Sequence, residues 1–316
     1  MIEVEHLSKI YGSTVAIQDV DFSVNSGEIL GFLGPNGAGK TTTMRILAGY
    51  IPSTTGTARI AGYDIHEQSM QVRQRIGYLP ENPPLYPDMT VEGFIHFVAQ
   101  IKGIVAGDRG SRVNSAIERC QLTEKRKVLI RKLSKGYKQR VGIASAIVHD
   151  PPVIILDEPT VGLDPKQIIE VRNLIRSLAG QHTVILSTHI LPEVSVTCDR
   201  VTIINRGQIV KTDIPANPTQ NSPLKSSYEI EVEGDITTIL PQLKRVPDVI
   251  DIQLKPIDST THSAVSILAQ SGQEIGKDLA AIIVNSGLGL LEMRRERPTL
   301  EDIFLEVIGT GEIKGK

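Results

Sequence analysis

Residues 34–41 read GPNGAGKT, between an apolar run, EILGFL, and a stretch of helical character, TTTMRILAG. A turn of the form G-x-x-x-x-G-K-T needs a buried strand before it and a helix N-terminus after it, so the segment predicts strand, phosphate-binding loop and helix in that order. Gly34, Gly37 and Gly39 let backbone N–H groups turn inward around phosphate oxygens. Lys40 supplies a point charge and Thr41 a hydroxyl for a divalent cation. Pro35, Asn36, Ala38 and Thr42 complete the loop. A chain built on this unit is held to an α/β architecture.

The surrounding pattern agrees. From residue 1 to about 215, short β-rich runs (EILGFLG, VIILDE, TVILSTH, VTIIN) alternate with helical stretches, which predicts a largely parallel central sheet. Residues 82–133 interrupt the alternation: a Pro-rich turn, NPPLYPD, leads into Phe94, Ile95, Phe97, Val98 and Ile101 at helical spacing, and no strand-like run follows until Val153. We read a helical insertion there, the helical part extending to about residue 150. The segment IPANPTQNSPLKSS has linker composition, giving a first domain over 1–215, a linker over 216–227 and a second domain over 228–316. The latter reads as strand 228–232, helix 236–245, strand 249–255, strand 263–269, helix 273–285 and strand 289–296, the β-α-β-β-α-β order of a ferredoxin-like fold. A last helix is expected in TLEDIFLEVIG, from Thr299.

Bulk properties narrow the function classes. A net charge of -2, with charges interspersed, gives no basic footprint for nucleic acid. No apolar run approaches the roughly 18 residues that span a bilayer, and MIEVEHLSKI lacks the basic start and apolar core of a signal peptide. Cys120 and Cys198 are too few for a disulfide scaffold and too far apart for a zinc motif, which suits a reduced, cytoplasmic chain.

Three further motifs carry chemistry. VIILDEPT is a buried strand ending in adjacent carboxylates. Asp157 is expected beside the metal and Glu158 where it orients or deprotonates an attacking water. STHILPEV puts His189 just past another β-rich run, on the sheet edge shared with Lys40 and Asp157, where it can donate to a terminal phosphate. LSKGYKQR is a Ser-x-Gly turn opening into a basic helix, a second anion site at a helix N-terminus, with Ser134 and Gly136 as its anion-binding residues. Fold geometry alone leaves open whether that second site faces the chain's own phosphate or another's.

GPNGAGKT, LSKGYKQR, VIILDE, the loop GLD and STH occur in the order and spacing of ATP-binding-cassette (ABC) ATPases, which this chain resembles over about residues 1–215. The resemblance implies a P-loop NTPase fold of ABC type that binds ATP and Mg²⁺. It implies that Tyr11 stacks on adenine, that Thr41 and Asp157 serve the metal, that Glu158 is the catalytic base and that His189 is the γ-phosphate switch. It further implies that Ser134, Gly136 and Asp164 meet the nucleotide held by a second subunit. Two positions depart from the common pattern: Lys135 replaces the middle glycine of S-G-G-Q, and Glu81 stands where a glutamine usually reaches metal and water. A carboxylate at position 81 still accepts from water and binds metal, but adds negative charge beside phosphates.

Glutamate there resembles the exporter branch with separately encoded permeases, as do YLPENPPLYPDMTVEGFIHFVAQIKG and the tail RRERPTLEDIFLEVIG. The stretch from LSKGYKQR to GLDP is similar to gliding-motility-associated ATP-binding proteins. The implied partners are a second copy or homologous subunit and an integral-membrane permease, which would hold the chain on the inner face of the membrane. A soluble ABC ATPase on ribosomes or DNA is the alternative. Such relatives usually carry two cassettes or inserted coiled coils, and this chain has one cassette and no long heptads.

Overall fold

The computed structural model describes residues 1–215, 226–256, 261–270, 275–296, 300, 301 and 304. The chain divides into two compact units, Met1–Asn217 and Pro218–Lys316.

The first unit opens with β1 (Ile2–Tyr11), β2 (Thr14–Val24), β3 (Ile29–Leu33), α1 (Lys40–Leu47), β4 (Thr55–Ile60), β5 (Tyr63–Asp64), α2 (Ser69–Gln74) and β6 (Ile76–Leu79). The insertion follows as α3 (Val91–Ile101), α4 (Ala106–Arg119) and α5 (Lys135–Ile147). It closes with β7 (Val153–Asp157), α6 (Pro165–Leu178), β8 (Thr183–Thr188), α7 (Leu191–Thr197), β9 (Arg200–Asn205) and β10 (Gln208–Pro215).

Six strands form the central sheet in the order β10-β9-β3-β8-β7-β6, parallel from β9 to β6 with β10 antiparallel at one edge. β3 and β7 are buried along their whole length, as strands covered on both faces must be. Leu33 pairs with Thr188 and Asp157 with Ser187, so the chain emerges from β3, β8 and β7 at one edge.

The other N-terminal strands build a separate antiparallel sheet, β2-β1-β4-β5, which the alternating pattern does not reveal. Its longer strands alternate buried and exposed residues, and tight turns join β1 to β2 and β4 to β5, the signature of antiparallel pairing with one wet face. The insertion is helical. In α3, the Thr90 hydroxyl caps the helix by accepting from the Gly93 N–H, and Val91, Phe94, Ile95 and Ala99 face the core. Cys120 and Cys198 are buried free thiols.

The second unit comprises β11 (Ser226–Glu233), a 3-10 turn over Ile236–Ile239, the single turn α8 (Leu240–Leu243), β12 (Val249–Lys255), β13 (His262–Ala269), α9 (Gly276–Asn285) and β14 (Gly289–Glu296). The sheet is antiparallel throughout in the order β12-β13-β11-β14, the split β-α-β arrangement. Tyr228, Ile230, Val232, Val265, Ile267, Leu279 and Ile283 form its core. The helix expected over 236–245 is shorter than its apolar spacing suggests. Asp235 caps the 3-10 turn by accepting from the Thr237 N–H, and Pro241 brings no N–H to the helix that follows. The expected linker and final helix fall almost wholly outside the described residues.

Candidate functional site

The loop between β3 and α1 is built around its lysine. Gly39, the residue before α1, takes φ 106°, a conformation cheap only for glycine, and turns the chain into the helix. Lys40 is buried, and its Nζ donates to the carbonyls of Gly34 at 2.8 Å and Pro35 at 3.1 Å. The same Nζ lies 3.3 Å from Glu158 Oε1, a pair in which both side chains are under a tenth exposed. Ala38 is buried behind the loop.

A cavity of about 560 Å³ opens here, walled by Asn36, Gly37, Gly39, Lys40, Thr41 and Thr42 from the loop, with Glu81, Glu158 and His189 from three other segments. Strand order explains the convergence: β8 lies between β3 and β7, so His189, after β8, reaches Glu158, after β7. His189 Nδ1 is 2.9 Å from Glu158 Oε2 and 3.0 Å from Oε1. Glu158 itself has φ 50°, the left-handed region that non-glycine residues rarely adopt. Strain of this kind persists where the surroundings over-determine it, often at functional sites.

Below the cavity, Asp157 is fully buried. Its Oδ1 accepts from Ser187 Oγ at 2.8 Å and from Thr41 Oγ1 at 3.3 Å, while Oδ2 is buried without a partner. Burial pushes this carboxyl above the ordinary aspartate value. The two hydroxyls oppose that rise, and the charges of Glu158 and Glu81 add to it. An orphaned carboxylate oxygen beside a threonine hydroxyl is a hard, all-oxygen donor set and fits Mg²⁺. Ser187 escapes a motif-based reading, although its place two residues before His189 in STH and opposite Asp157 in the sheet is a usable signal.

Other predicted residues lie elsewhere. Tyr11 is 47% exposed and forms no wall of this cavity, but it pairs across the hairpin with Thr14, which does, together with Val15 and Ala16. Ser134, Gly136 and Asp164 are also outside its walls. Ser134 caps α5, its Oγ accepting from the Tyr137 N–H, and Asp164 caps α6, its Oδ1 accepting from the Gln167 N–H at 2.9 Å. Gly136 touches α6 so closely that a Cβ there would lie 2.5 Å from the Gln167 side chain. Lys135 Nζ rests against Gly162 in the GLD loop, where a Cβ would come within 2.2 Å of it. The two turns therefore form one exposed patch, separate from the Lys40 cavity.

A second concavity, about 600 Å³, lies beside the insertion and the edge strand β6 and is lined mainly by apolar and aromatic side chains, among them Tyr50, Tyr78, Leu85, Tyr86, Phe97 and Ile101. Among the described residues no helix is long and apolar enough to cross a membrane.

Residues 17–161 match the family described as ABC transporter. The chain is 34% identical over 99% of both chains to the bacitracin transport ATP-binding protein BcrA of Bacillus licheniformis. It is 30% identical over 98% of both to the linearmycin resistance ATP-binding protein LnrL of Bacillus subtilis (strain 168). With the Nod factor export ATP-binding protein I of Cupriavidus pinatubonensis (strain JMP 134 / LMG 1197) it shares 32% identity over 98% of this chain and 91% of that one. Among solved structures, an ATP-binding subunit of an ABC transporter matches 67% of this chain and 88% of its own at a TM-score of 0.61 and 31% identity. A dimeric ATP-binding cassette bound to ADP and Pi matches 69% of this chain and all of its own at a TM-score of 0.63, and at 23% identity that likeness concerns the fold.

Proposed function

The chain belongs to the ABC transporter ATP-binding family, and from that premise we propose that it hydrolyses Mg-ATP to power export through a separate membrane permease. The observation that carries this reading is the single cavity shared by Lys40, Thr41, Glu81, Glu158 and His189. Lys40 and the N–H groups of Gly37, Gly39 and Thr42 bind the β- and γ-phosphates, and Tyr11 offers its ring to the base. Thr41 and Asp157 would hold the metal, together with Glu81. When bound, Mg²⁺ supplies charge neutralisation on the phosphate oxygens. Glu158 Oε accepts the proton of the attacking water as that oxygen bonds to the γ-phosphorus and the bond to the β-phosphate oxygen breaks, giving ADP and phosphate. His189 donates to the γ-phosphate from the side held by Glu158.

Two copies close head to tail, so that Ser134, Gly136 and Asp164 of one meet the nucleotide in the other. Closure on ATP and opening after hydrolysis drive the permease. The apolar groove beside the insertion suits the end of a permease's cytoplasmic helix, an amphipathic ligand laid into a hydrophobic cleft. Export as the direction is supported by the name of the Nod factor export relative, and the bacitracin transport and linearmycin resistance relatives are compatible with it. The resemblance to gliding-motility-associated members fits the same branch without naming a cargo. On this reading the chain lies on the cytoplasmic face of the membrane, held by its permease.

Purified chain assayed for phosphate release, alone and with a coexpressed permease, tests the proposal. Expected are Mg-dependent turnover that Glu158→Gln abolishes, and sedimentation with membranes only when the permease is present. Unaltered turnover in Glu158→Gln, or sedimentation with ribosomes, overturns it.

A further inference from the structure

Two segments that carry the Glu158–His189 contact are tied together by a residue that the proposed chemistry does not use. Glu193 lies in the first turn of α7 and is 1% exposed. Its Oε1 accepts from Thr160 Oγ1, and its Oε2 accepts from Thr188 Oγ1 at 2.8 Å. Thr160 is 2% exposed and follows Glu158 by two positions; Thr188 is fully buried and immediately precedes His189. Thr188 Oγ1 also accepts from the N–H of Ile190, on the far side of His189, at 3.1 Å. The carboxylate thus holds the chain just beyond Glu158 and just before His189, and Thr188 in turn holds it just after His189.

A carboxylate is an expensive filler for a buried space, and α7 could be packed against the sheet by an apolar side chain at lower cost. What a carboxylate adds is direction. It has only acceptor sites, so each threonine hydroxyl must donate inward, and the Thr188 oxygen is left facing the Ile190 N–H. One arrangement of the two loops satisfies every partner, and in that arrangement His189 Nδ1 stands 2.9 Å from Glu158. We propose that Glu193 is a positioning residue that holds Glu158 and His189 in register for ATP hydrolysis. This inference rests on the ATPase reading given above.

The test uses the full chain. In Glu193→Ala, turnover falls ten- to a hundredfold while KM for ATP stays within about twofold, since the Lys40 loop is untouched. Introduced on a His189→Ala background, Glu193→Ala adds little further loss, because the geometry it maintains has already lost its object. Thr188→Val repeats the loss and Thr188→Ser, which keeps the hydroxyl, restores turnover. This pair decides the matter if Glu193→Ala does not fold.

A readout independent of turnover is the His189 ring signal in ¹H–¹⁵N spectra. Thr188→Val should move it in the same direction as Glu158→Gln does, and Thr188→Ser should not. Full turnover in Glu193→Ala, additive losses with His189→Ala, or a His189 signal indifferent to Thr188→Val overturns the inference. If the wild-type chain shows no turnover at all, the ATPase reading falls, and the His189 signal still decides whether Glu193 sets the geometry.

Discussion

The turn at Gly34–Thr42 and the turn at Ser134–Tyr137 both open a helix, and both present N–H groups suited to an anion. They differ in what surrounds those groups. Around the first, a buried lysine, two carboxylates and an imidazole converge from strands that the sheet order brings together. Around the second there is an exposed serine whose hydroxyl serves its own helix cap, an exposed lysine resting on a neighbouring loop, and a glycine pressed against Gln167. The first holds the groups needed for phosphate chemistry within one chain. The second has the donors for a phosphate and no reactive group, which is what half of a shared site requires. Composition of the turn sets anion affinity; the strands beneath it set whether chemistry is possible.

The sharpest way to break this contrast is Glu158→Gln. Turnover should fall by roughly 10²–10⁴-fold, the usual worth of a positioned general base, with ATP affinity retained. Steady-state phosphate release beside nucleotide titration checks both halves. Ser134→Arg comes next: it should lower turnover by about 10²–10³-fold, as losing a donor to developing phosphate charge does elsewhere. ATP binding by the monomer should be nearly unchanged, and ATP-driven dimerisation should disappear from light scattering. If monomer binding is what disappears, the second turn belongs to the first site and the contrast collapses.

Lys40→Ala should weaken nucleotide binding by about 10- to 100-fold, the value of a charge-assisted hydrogen bond lost from a buried site. Calorimetric titration decides it, and an effect on dimerisation at saturating ATP would blur the distinction. The smallest effect concerns Asp157. Because burial raises its carboxyl, the folded state keeps a proton that the unfolded state has released, and stability falls as pH rises from the ordinary aspartate value through the raised one. Above the raised value that penalty is fully present. Asp157→Asn, which keeps an oxygen for Ser187 and Thr41, should therefore stabilise the metal-free chain by about 1–3 kcal/mol, seen in urea unfolding at pH 7 and fading toward pH 3. No comparable gain is expected from substitutions in the Ser134 turn, where among the described residues no buried charge is stored.

Much of this was legible in the sequence for a physical reason. Lys40, Asp157, Glu158 and His189 each stand at or just past the end of an apolar run, and in a parallel sheet such ends gather at one edge. What a linear pattern does not contain is the order of strands, so the placing of β8 between β3 and β7, and hence the His189–Glu158 contact, is visible only in the folded chain. The antiparallel sheet of β1, β2, β4 and β5 was hidden for a similar reason: its amphipathic alternation is visible, but not which strands it joins. Glu193 carries no signal at all at the level of motifs, since a glutamate at the start of a helix reads as a solvated acid. The short α8 reflects a conflict within the sequence itself, helical spacing against Pro241.

The backbone of Glu158 has a consequence for anyone who would improve this protein. A residue at φ 50° pays a conformational cost that glycine, and to a lesser degree asparagine, would avoid. A library ranked by melting temperature alone would thus reward replacement of the residue to which hydrolysis is assigned wherever that relief outweighs the lost buried contacts to Lys40 and His189. Thermostability and turnover should trade off at this position, and variants selected for heat resistance need to be screened for phosphate release before they are kept.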